Sequence, residues 1–568
     1  MFKKLIHHPY LIVFIVATLY FAFYLFGFKA KYGIYGDMVG KWIQVVDILQ
    51  KPVGDFSCNY KEDFDPNFQF IPGNQYFYEI NKGECNYMYP YPYAYLVAPF
   101  VFIAKDYGFI VLNLILIGLY ILFTMLSFQN LLPSSKNISG LIAGLTSFLI
   151  IPTGIYVLDF SEMTVSVTLG MVGFFLLSPY FSEVSPKIQW LRVFLAGFIP
   201  GIVVAFRTEA ILYLMGLVLA IFILGLWENG FAFKGKKSSW QVYLSIKFPF
   251  VLGLGVLLSV GIVFLLHQIF FGHILGIRGR MLSNWILSEY DIQFKIKVVW
   301  KLLFGGTLGL YSSMPIILLS YLYLFPKVRA KAGRTGLFLF LFANLSSYLI
   351  VFTSPGHGGY SWSPRYLALC IPFFLFLILL IGLKDLSLTN KIWKKAILGI
   401  VILYSLVFTH TGMKIAKQAP KQIKLYNDIV RSANPDVIIL SDTFLYSMLG
   451  KDLLGKKIYN VGAQKSIQVD GKEYVIGQNQ IPREPTAKLQ LEKIKALVEV
   501  LKKQNNVKKI LLISSLIRDI NDYDYGYKDR PGFKDKDFLI EYVQNSEIFQ
   551  VESSKDLFNV SFTLFTIK

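Results

Sequence analysis

The stretch PYLIVFIVATLYFAFYLFGF, residues 9–28, holds no charged side chain. A helix of about 20 such residues crosses a hydrocarbon core about 30 Å thick, so this run reads as a membrane span. Met1-Phe-Lys-Lys ahead of it resembles the charged start of a signal peptide. No small-x-small cleavage pattern stands before Lys29-Ala-Lys, however, and the run reads as a retained first span. Working outward, about eleven runs of this kind are found. They lie near 9–28, 109–128, 138–153, 160–179, 190–206, 209–227, 248–270, 303–325, 335–353, 366–383 and 396–412. The fifth and sixth are joined so tightly around Phe206, Arg207 and Thr208 that a hairpin with its turn at the membrane face is expected.

Composition agrees with that reading. The chain has 568 residues, 54% hydrophobic and 16% charged, which is too apolar for a soluble globular protein. Its 56 Lys and Arg exceed its 36 Asp and Glu by 20, a balance that in a soluble protein suggests nucleic acid. The positions of the charges argue otherwise. With the N-terminus inside, the loops facing the cytoplasm hold Lys187, Lys234, Lys236, Lys237, Lys247, Lys327, Arg329, Lys331, Arg334, Lys384, Lys391, Lys394 and Lys395 with few acids, the positive-inside pattern. The basic excess is then topological, and no nucleic-acid partner is expected. Three cysteines exclude a disulfide framework, and six scattered histidines show no metal-ligand spacing, so no metal or other cofactor is expected.

An odd number of spans places three segments outside: a loop over 29–108, a second over 271–302, and everything after 413. That tail alternates β-branched runs (Val437-Ile-Ile-Leu, Ile510-Leu-Leu-Ile) with polar helical stretches such as Thr486 to Gln504, which reads as a small soluble α/β domain. It has no glycine-rich phosphate loop. The expected organisation is therefore a transmembrane domain over 1–412 and an α/β domain over 413–568. Cys58 and Cys85 share the first outer loop and can pair in an oxidising compartment, whereas Cys370 lies within a span.

Ionisable groups at the outer ends of spans are the places to look for chemistry, because such groups are costly in a bilayer. After the first span comes Tyr35-Gly-Asp-Met-Val-Gly-Lys-Trp, with Asp37 at a helix start and an amphipathic stretch (Trp42, Val45, Val46, Leu49) behind it. Asp37 suits either a helix cap or a reactive carboxylate. Tyr87-Met-Tyr-Pro-Tyr-Pro-Tyr continues into a hydrophobic helix and suits either an aromatic girdle or a groove that stacks on sugar rings or isoprenes. Asp159 and Glu162 stand three apart at the start of the fourth span, a spacing that puts both on one helical face. Arg207-Thr-Glu209 holds a cation and an anion at one membrane level, either as a local pair or as a seat for a phosphate. The second outer loop carries His273, Arg278 and Arg280 among glycines. The last carries Gly356-His-Gly-Gly-Tyr-Ser-Trp-Ser-Pro-Arg-Tyr-Leu, with His357, Trp362, Arg365 and Tyr366. Arginine forks and open backbone amides fit phosphoryl oxygens, or else meet lipid head groups.

The order of these motifs resembles the GT-C superfamily of membrane glycosyltransferases, in its bacterial branch similar to protein O-mannosyltransferases and the lipid A aminoarabinose transferase. The likeness covers 1–412 and rests on Gly36-Asp37, Tyr89 to Phe100, Asp159 with Glu162, Arg207 with Glu209, and Gly358 to Leu367. It implies a polytopic α-helical GT-C-like enzyme of the bacterial inner membrane, with a periplasmic C-terminal domain. It implies transfer of a sugar from a polyprenyl-phosphate donor to a lipid, glycan or protein acceptor at the periplasmic face, with inversion. Asp37 then carries the family's base role and Glu162 its second acid. Asp159, Arg207, Glu209, His273, Arg278, Arg280, His357, Trp362, Arg365 and Tyr366 bind substrate, with Arg365 first among the cations. The tail departs from the soluble domains of the relatives. The competing readings are a lipid or polysaccharide transporter or flippase, and a non-catalytic envelope-assembly protein.

Overall fold

The computed structural model describes residues 8–27, 37–60, 62–73, 77–81, 83–150, 153–182, 187–228, 239–277, 279, 292–306, 309–354, 364–384, 392–416, 419–449, 456–462, 466–469, 472–475, 483–505, 507–515, 538–557 and 560–567. The N-terminal helices are α1 (Pro9–Ala22), α2 (Asp37–Gln50), then strands β1 (Tyr78–Asn81) and β2 (Glu84–Tyr87), α3 (Tyr91–Ala104), α4 (Gly108–Leu131), α5 (Lys136–Leu149) and α6 (Thr153–Leu158). They are followed by α7 (Met163–Leu177), α8 (Trp190–Gly201), α9 (Ala210–Glu228), α10 (Ser239–Phe271), α11 (Ile292–Phe304), α12 (Leu310–Ser313), α13 (Pro326–Thr353), α14 (Ile371–Lys384) and α15 (Ile392–Ala416). The tail contains α16 (Ala419–Ala433), β3 (Val437–Leu440), α17 (Thr443–Met448), β4 (Lys457–Asn460), β5 (Ser466–Val469) and β6 (Lys472–Val475). It ends with α18 (Arg483–Asn505), β7 (Lys509–Ser515), α19 (Phe538–Gln544), β8 (Phe549–Leu557) and β9 (Val560–Ile567).

The chain divides into two compact units, residues 1–30 with 99–416 and residues 31–98 with 417–568. The first unit is helical. Among the described residues of the whole chain, six helical stretches are long and apolar enough to cross a membrane: Pro9–Phe26, Tyr91–Leu131, Met163–Phe181, Ala210–Trp227, Lys247–Phe271 and Pro326–Thr353. Trp190–Ala205, Pro315–Leu324 and Ile371–Lys384 are apolar but shorter. The run expected as one span over 303–325 is not one α-helix. It breaks after Phe304 at Gly305-Gly306, with Gly306 at φ +48°, resumes as the single turn α12 and continues as a 3-10 helix over Pro315–Leu324. Glycine admits that left-handed backbone and proline lacks the amide a continuing helix needs. Between the fifth and sixth runs, where a hairpin is expected, α8 passes into a 3-10 turn over Ile202–Ala205 and a short non-helical stretch before α9 starts at Ala210.

Packing within this unit is aromatic and close. Phe174 on α7 lies 4.8 Å from Phe373 and 5.5 Å from Phe376, and Phe376 stacks on Phe128 at 5.2 Å, ring centre to ring centre. Helices α8 and α10 approach until a Cβ on Gly197 would meet the Leu252 carbonyl and one on Gly255 the Phe194 carbonyl. Such small-residue crossings are how helices associate where no hydrophobic force separates protein from solvent.

The second unit joins segment 31–98 to the tail. The tail's strands form a five-stranded sheet in the order β4-β3-β7-β9-β8, with β3 parallel to β4 and β7 and the β7-β9-β8 side antiparallel. The β-branched runs noted in the sequence fall on β3 and β7, where Val437 pairs with Ile510, and the polar stretch after Thr486 falls on α18. Helix α18 covers the sheet with Ile494, Leu497, Val498 and Leu501 against Ile439, Leu512 and Phe565. Segment 62–70 covers the β4 edge. Asn460 donates its backbone N–H to the Phe70 carbonyl at 2.9 Å, Tyr459 donates its hydroxyl to Glu62 at 3.1 Å, and Phe64 packs on the Tyr459 ring at 5.6 Å.

Cys58 and Cys85 are disulfide-bonded, their Cα atoms 5.3 Å apart, and tie the stretch around Cys58 to the β1–β2 hairpin. Cys370 is buried and free. The bond closes a separation of 27 residues. A cross-link over that length restricts the unfolded chain by about 3–4 kcal/mol. The Cys58→Ser/Cys85→Ser protein is therefore expected to unfold at a clearly lower temperature or denaturant concentration than the oxidised protein. An unchanged midpoint would show that the bond adds nothing to folding.

Candidate active site

In the helical unit, three motifs distant in sequence meet. Asp159 and Glu162 do not share a helical face, contrary to the spacing argument, because the chain between them is a bend and α7 begins only at Met163. The cause is a polar residue in the apolar helix α4. The Asn113 amide donates to the carbonyls of Tyr156, Val157 and Asp159 at 3.2, 3.2 and 2.9 Å, and its oxygen accepts the Thr164 hydroxyl at 2.7 Å. A fully buried amide with these bonds fixes the turn that presents Glu162. Glu162 stands at the N-cap position of α7 without making a side-chain cap, and its carbonyl accepts the Ser166 N–H.

The Glu162 carboxylate takes Arg207. Glu162 is 2% exposed and Arg207 7%. Arg207 donates through Nη1 to Glu162 Oε1 at 3.5 Å and through Nε and Nη2 to Glu209. The local Arg207–Glu209 pair is thus present, and Glu162 joins it from α7. The third motif adds Tyr366, on the 3-10 turn Arg365–Leu367 that leads into α14. The guanidinium of Arg207 lies 5.7 Å from the centre of its ring, and that of Arg365 lies at 5.7 Å as well. Two cations on one aromatic ring and two carboxylates beside them make a polar cluster in which Glu162 and Arg207 are almost fully dry. A guanidinium stacks well on such a ring and keeps its charge there.

In the second unit, Asp37 is the first residue of α2 and is half-buried. A carboxylate is favoured there by the unpaired amides and the dipole of the helix start. The face that α2 buries is the expected apolar one only in part: Val45 is fully buried, beside Met38 and Val39. Leu49 is exposed and Trp42 and Val46 are half-buried, while Lys41, Gln44 and Asp47, at 6%, 0% and 5% exposure, face inward. Segment 87–93 packs against these groups. Lys41 Nζ sits 5.3 Å from the Tyr89 ring centre and 5.9 Å from that of Tyr93, Gln44 donates to the Tyr89 carbonyl at 3.2 Å, and Asp47 accepts the Tyr87 hydroxyl. Lys51 reaches Asp47 at 3.4 Å and donates to the Ser57 carbonyl at 2.8 Å. Burial pushes the Tyr78 and Tyr87 phenols well above their ordinary range, so Tyr87 meets Asp47 as an O–H donor. Tyr87, Tyr89, Tyr91 and Tyr93 are all buried, so this part of the aromatic segment is a seat for α2.

His273 follows α10 and accepts the Leu275 N–H on Nδ1 at 3.2 Å, a bond local to its turn. Arg278, Arg280, His357 and Trp362 lie outside the described residues. Among the described residues, no three His, Cys, Asp or Glu side chains gather as a metal-binding group. Sequence reasoning overlooked Asn113, Gln44 and Asp47. A lone amide in the apolar run of α4 was a usable signal for Asn113. The repeat of polar residues at 41, 44 and 47 was a weaker one.

The chain matches no protein-family model. No curated protein matches it either. Among solved structures it is similar to the oligosaccharyltransferase of Archaeoglobus fulgidus. Against the apo form the TM-score is 0.45 at 10% identity, covering 89% of this chain and 69% of that one. Against the complex with Zn and sulfate it is 0.46 at 11% identity, covering 89% and 68%. Against the form tethered with an acceptor peptide it is 0.45 at 12% identity, covering 89% and 69%.

Proposed function

We propose that this chain is a membrane glycosyltransferase of the GT-C type. It transfers a sugar, with inversion, from a polyprenyl-phosphate donor to a lipid, glycan or protein acceptor at the outer face of a bacterial inner membrane. The observation that carries the reading is the meeting of Glu162, Arg207 with Glu209, and Arg365 with Tyr366 in one polar cluster, in which Glu162 and Arg207 are buried. The sequence singled out these three motifs for one activity while they lay far apart in the chain. The disulfide in the first outer loop supports an oxidising compartment for that loop.

In this reading the acceptor hydroxyl attacks the anomeric carbon, the bond from that carbon to the carrier phosphate breaks, and the phosphate leaves with the electron pair. Asp37 takes the hydroxyl proton, the role its motif implies and one a carboxylate performs as general base. The departing phosphate needs positive charge rather than a proton. Arg365, on the same ring as Arg207, is assigned to the phosphate, the role its motif implies, and Arg207 to fixing Glu162 and Glu209.

Arg365→Ala is accordingly expected to weaken saturation by the lipid-phosphate donor. Loss of a charged hydrogen bond corresponds to about 10- to 100-fold in the donor KM. Donor titration in proteoliposomes measures this. A donor KM equal to that of the unaltered protein would remove Arg365 from the site.

A further inference from the structure

Helix α17 of the tail packs against α2 within the second unit, and Phe77 is part of that contact. Phe77 is fully buried. Its ring centre lies 5.6 Å from that of Tyr446 on α17 and 6.2 Å from that of Tyr89. On its other side is Gly40, where a Cβ would overlap both the Phe77 and the Tyr89 rings. The turn that delivers Phe77 is built for the same contact. Phe77 donates its N–H to the Gly73 carbonyl at 2.7 Å, and Gly73, at φ +76°, leaves no room for a Cβ, which would stand 2.7 Å from Phe77 and 2.9 Å from Tyr446. Left-handed backbone and close approach both require glycine at that position.

We propose that the C-terminal tail is a positioning element for Asp37: Tyr446 presses the Phe77 ring onto the bare backbone at Gly40 and so sets the first turn of α2. Gly40 stands three residues after Asp37, in that turn. Ordinary core packing would let a side chain on the helix absorb small shifts of its neighbour. A ring against a glycine passes them to the backbone. Segment 87–93 holds Lys41, Gln44 and Asp47, and Met38 and Val39 are buried as well, so among the described contacts the Phe77–Tyr446 pair is where the tail bears on the start of the helix. A displacement of about 1 Å in a reacting group costs on the order of 100-fold in rate. The tail then acts in the reaction through Asp37 without itself meeting the sugar.

This inference rests on the assignment of Asp37 as base, but its structural half is measurable alone. The test uses the full chain in detergent or proteoliposomes, with Tyr446→Ala, Phe77→Ala and the conservative Tyr446→Phe. Amide hydrogen exchange over 37–42 is expected to rise in both alanine variants while exchange over 483–505 stays unchanged, and kcat is expected to fall about 10- to 100-fold with the donor KM within about threefold. Tyr446→Phe keeps the ring and should retain both properties. Should either alanine variant fail to fold, Gly40→Ala displaces the same rings from the other side and should produce the same kcat loss. Unchanged exchange over 37–42, or a KM rise that matches the kcat loss, would overturn the positioning role. If exchange rises and kcat does not fall, the coupling to Asp37 is wrong. Full transfer by Asp37→Asn would instead refute the base assignment and leave the exchange result standing.

Discussion

Replacing Arg207 by alanine is expected to cost the folded protein about 3–5 kcal/mol, because a buried ion pair that loses one partner leaves uncompensated charge in a dry site. Two carboxylates depend on this one guanidinium. Glu162 reaches it from α7 and Glu209 from the turn that follows α8, and both would be left facing each other without the cation. Arg207→Lys should recover part of the loss, since an ammonium keeps the charge but lacks the planar fork that serves two partners. Neutralising the whole set with Arg207→Met, Glu162→Gln and Glu209→Gln should restore much of the stability and none of the activity, because a well-packed neutral set avoids the desolvation cost altogether. Denaturant or thermal unfolding in detergent compares the variants. An Arg207→Ala protein as stable as the parent would mean that the cluster is open to water and that its charges are solvated independently.

The helices were largely legible because hydropathy is a local property. Runs such as 9–28 and 335–353 coincide with α1 and the latter part of α13. Hydropathy sums do not register backbone geometry, and for that reason the 303–325 run concealed the break at Gly305-Gly306 and Pro315. In the tail, the β-branched runs sit buried on both faces of a sheet, and they read as strands on sight.

The candidate site was legible where polar residues interrupt apolar surroundings. Glu162, Arg207, Glu209, Arg365 and Tyr366 were visible on that ground and meet in one unit. The pairing of Asp159 with Glu162 on one helical face was misread because the turn between them is held by Asn113, 46 residues before Asp159. The buried face of α2 was misread in part for a related reason. Lys41, Gln44 and Asp47 look like a solvent face until tyrosines 87 to 93 are laid against them. Partners of that kind come from tertiary packing, which periodicity does not record. The union of segment 31–98 with the tail in one unit had no signature in composition at all.

The second large effect is expected at Asp37. Asn keeps the shape and the helix-start hydrogen bonding of the side chain but cannot accept a proton, so transfer should fall by about 100- to 10,000-fold, the span that general-base catalysis contributes. The folded state should be little changed, since Asp37 heads α2 at a half-buried position and asparagine is also accepted at helix starts. The most direct measurement is mass spectrometry of surface glycans, glycolipids and glycoproteins from cells with the native gene, without it, and with Asp37→Asn expressed at the native level. The expected result is a glycan present in the first and missing from both of the others. A surface glycan profile that is the same in all three, with the Asp37→Asn protein present in the membrane, would contradict the assignment of this chain as a glycosyltransferase.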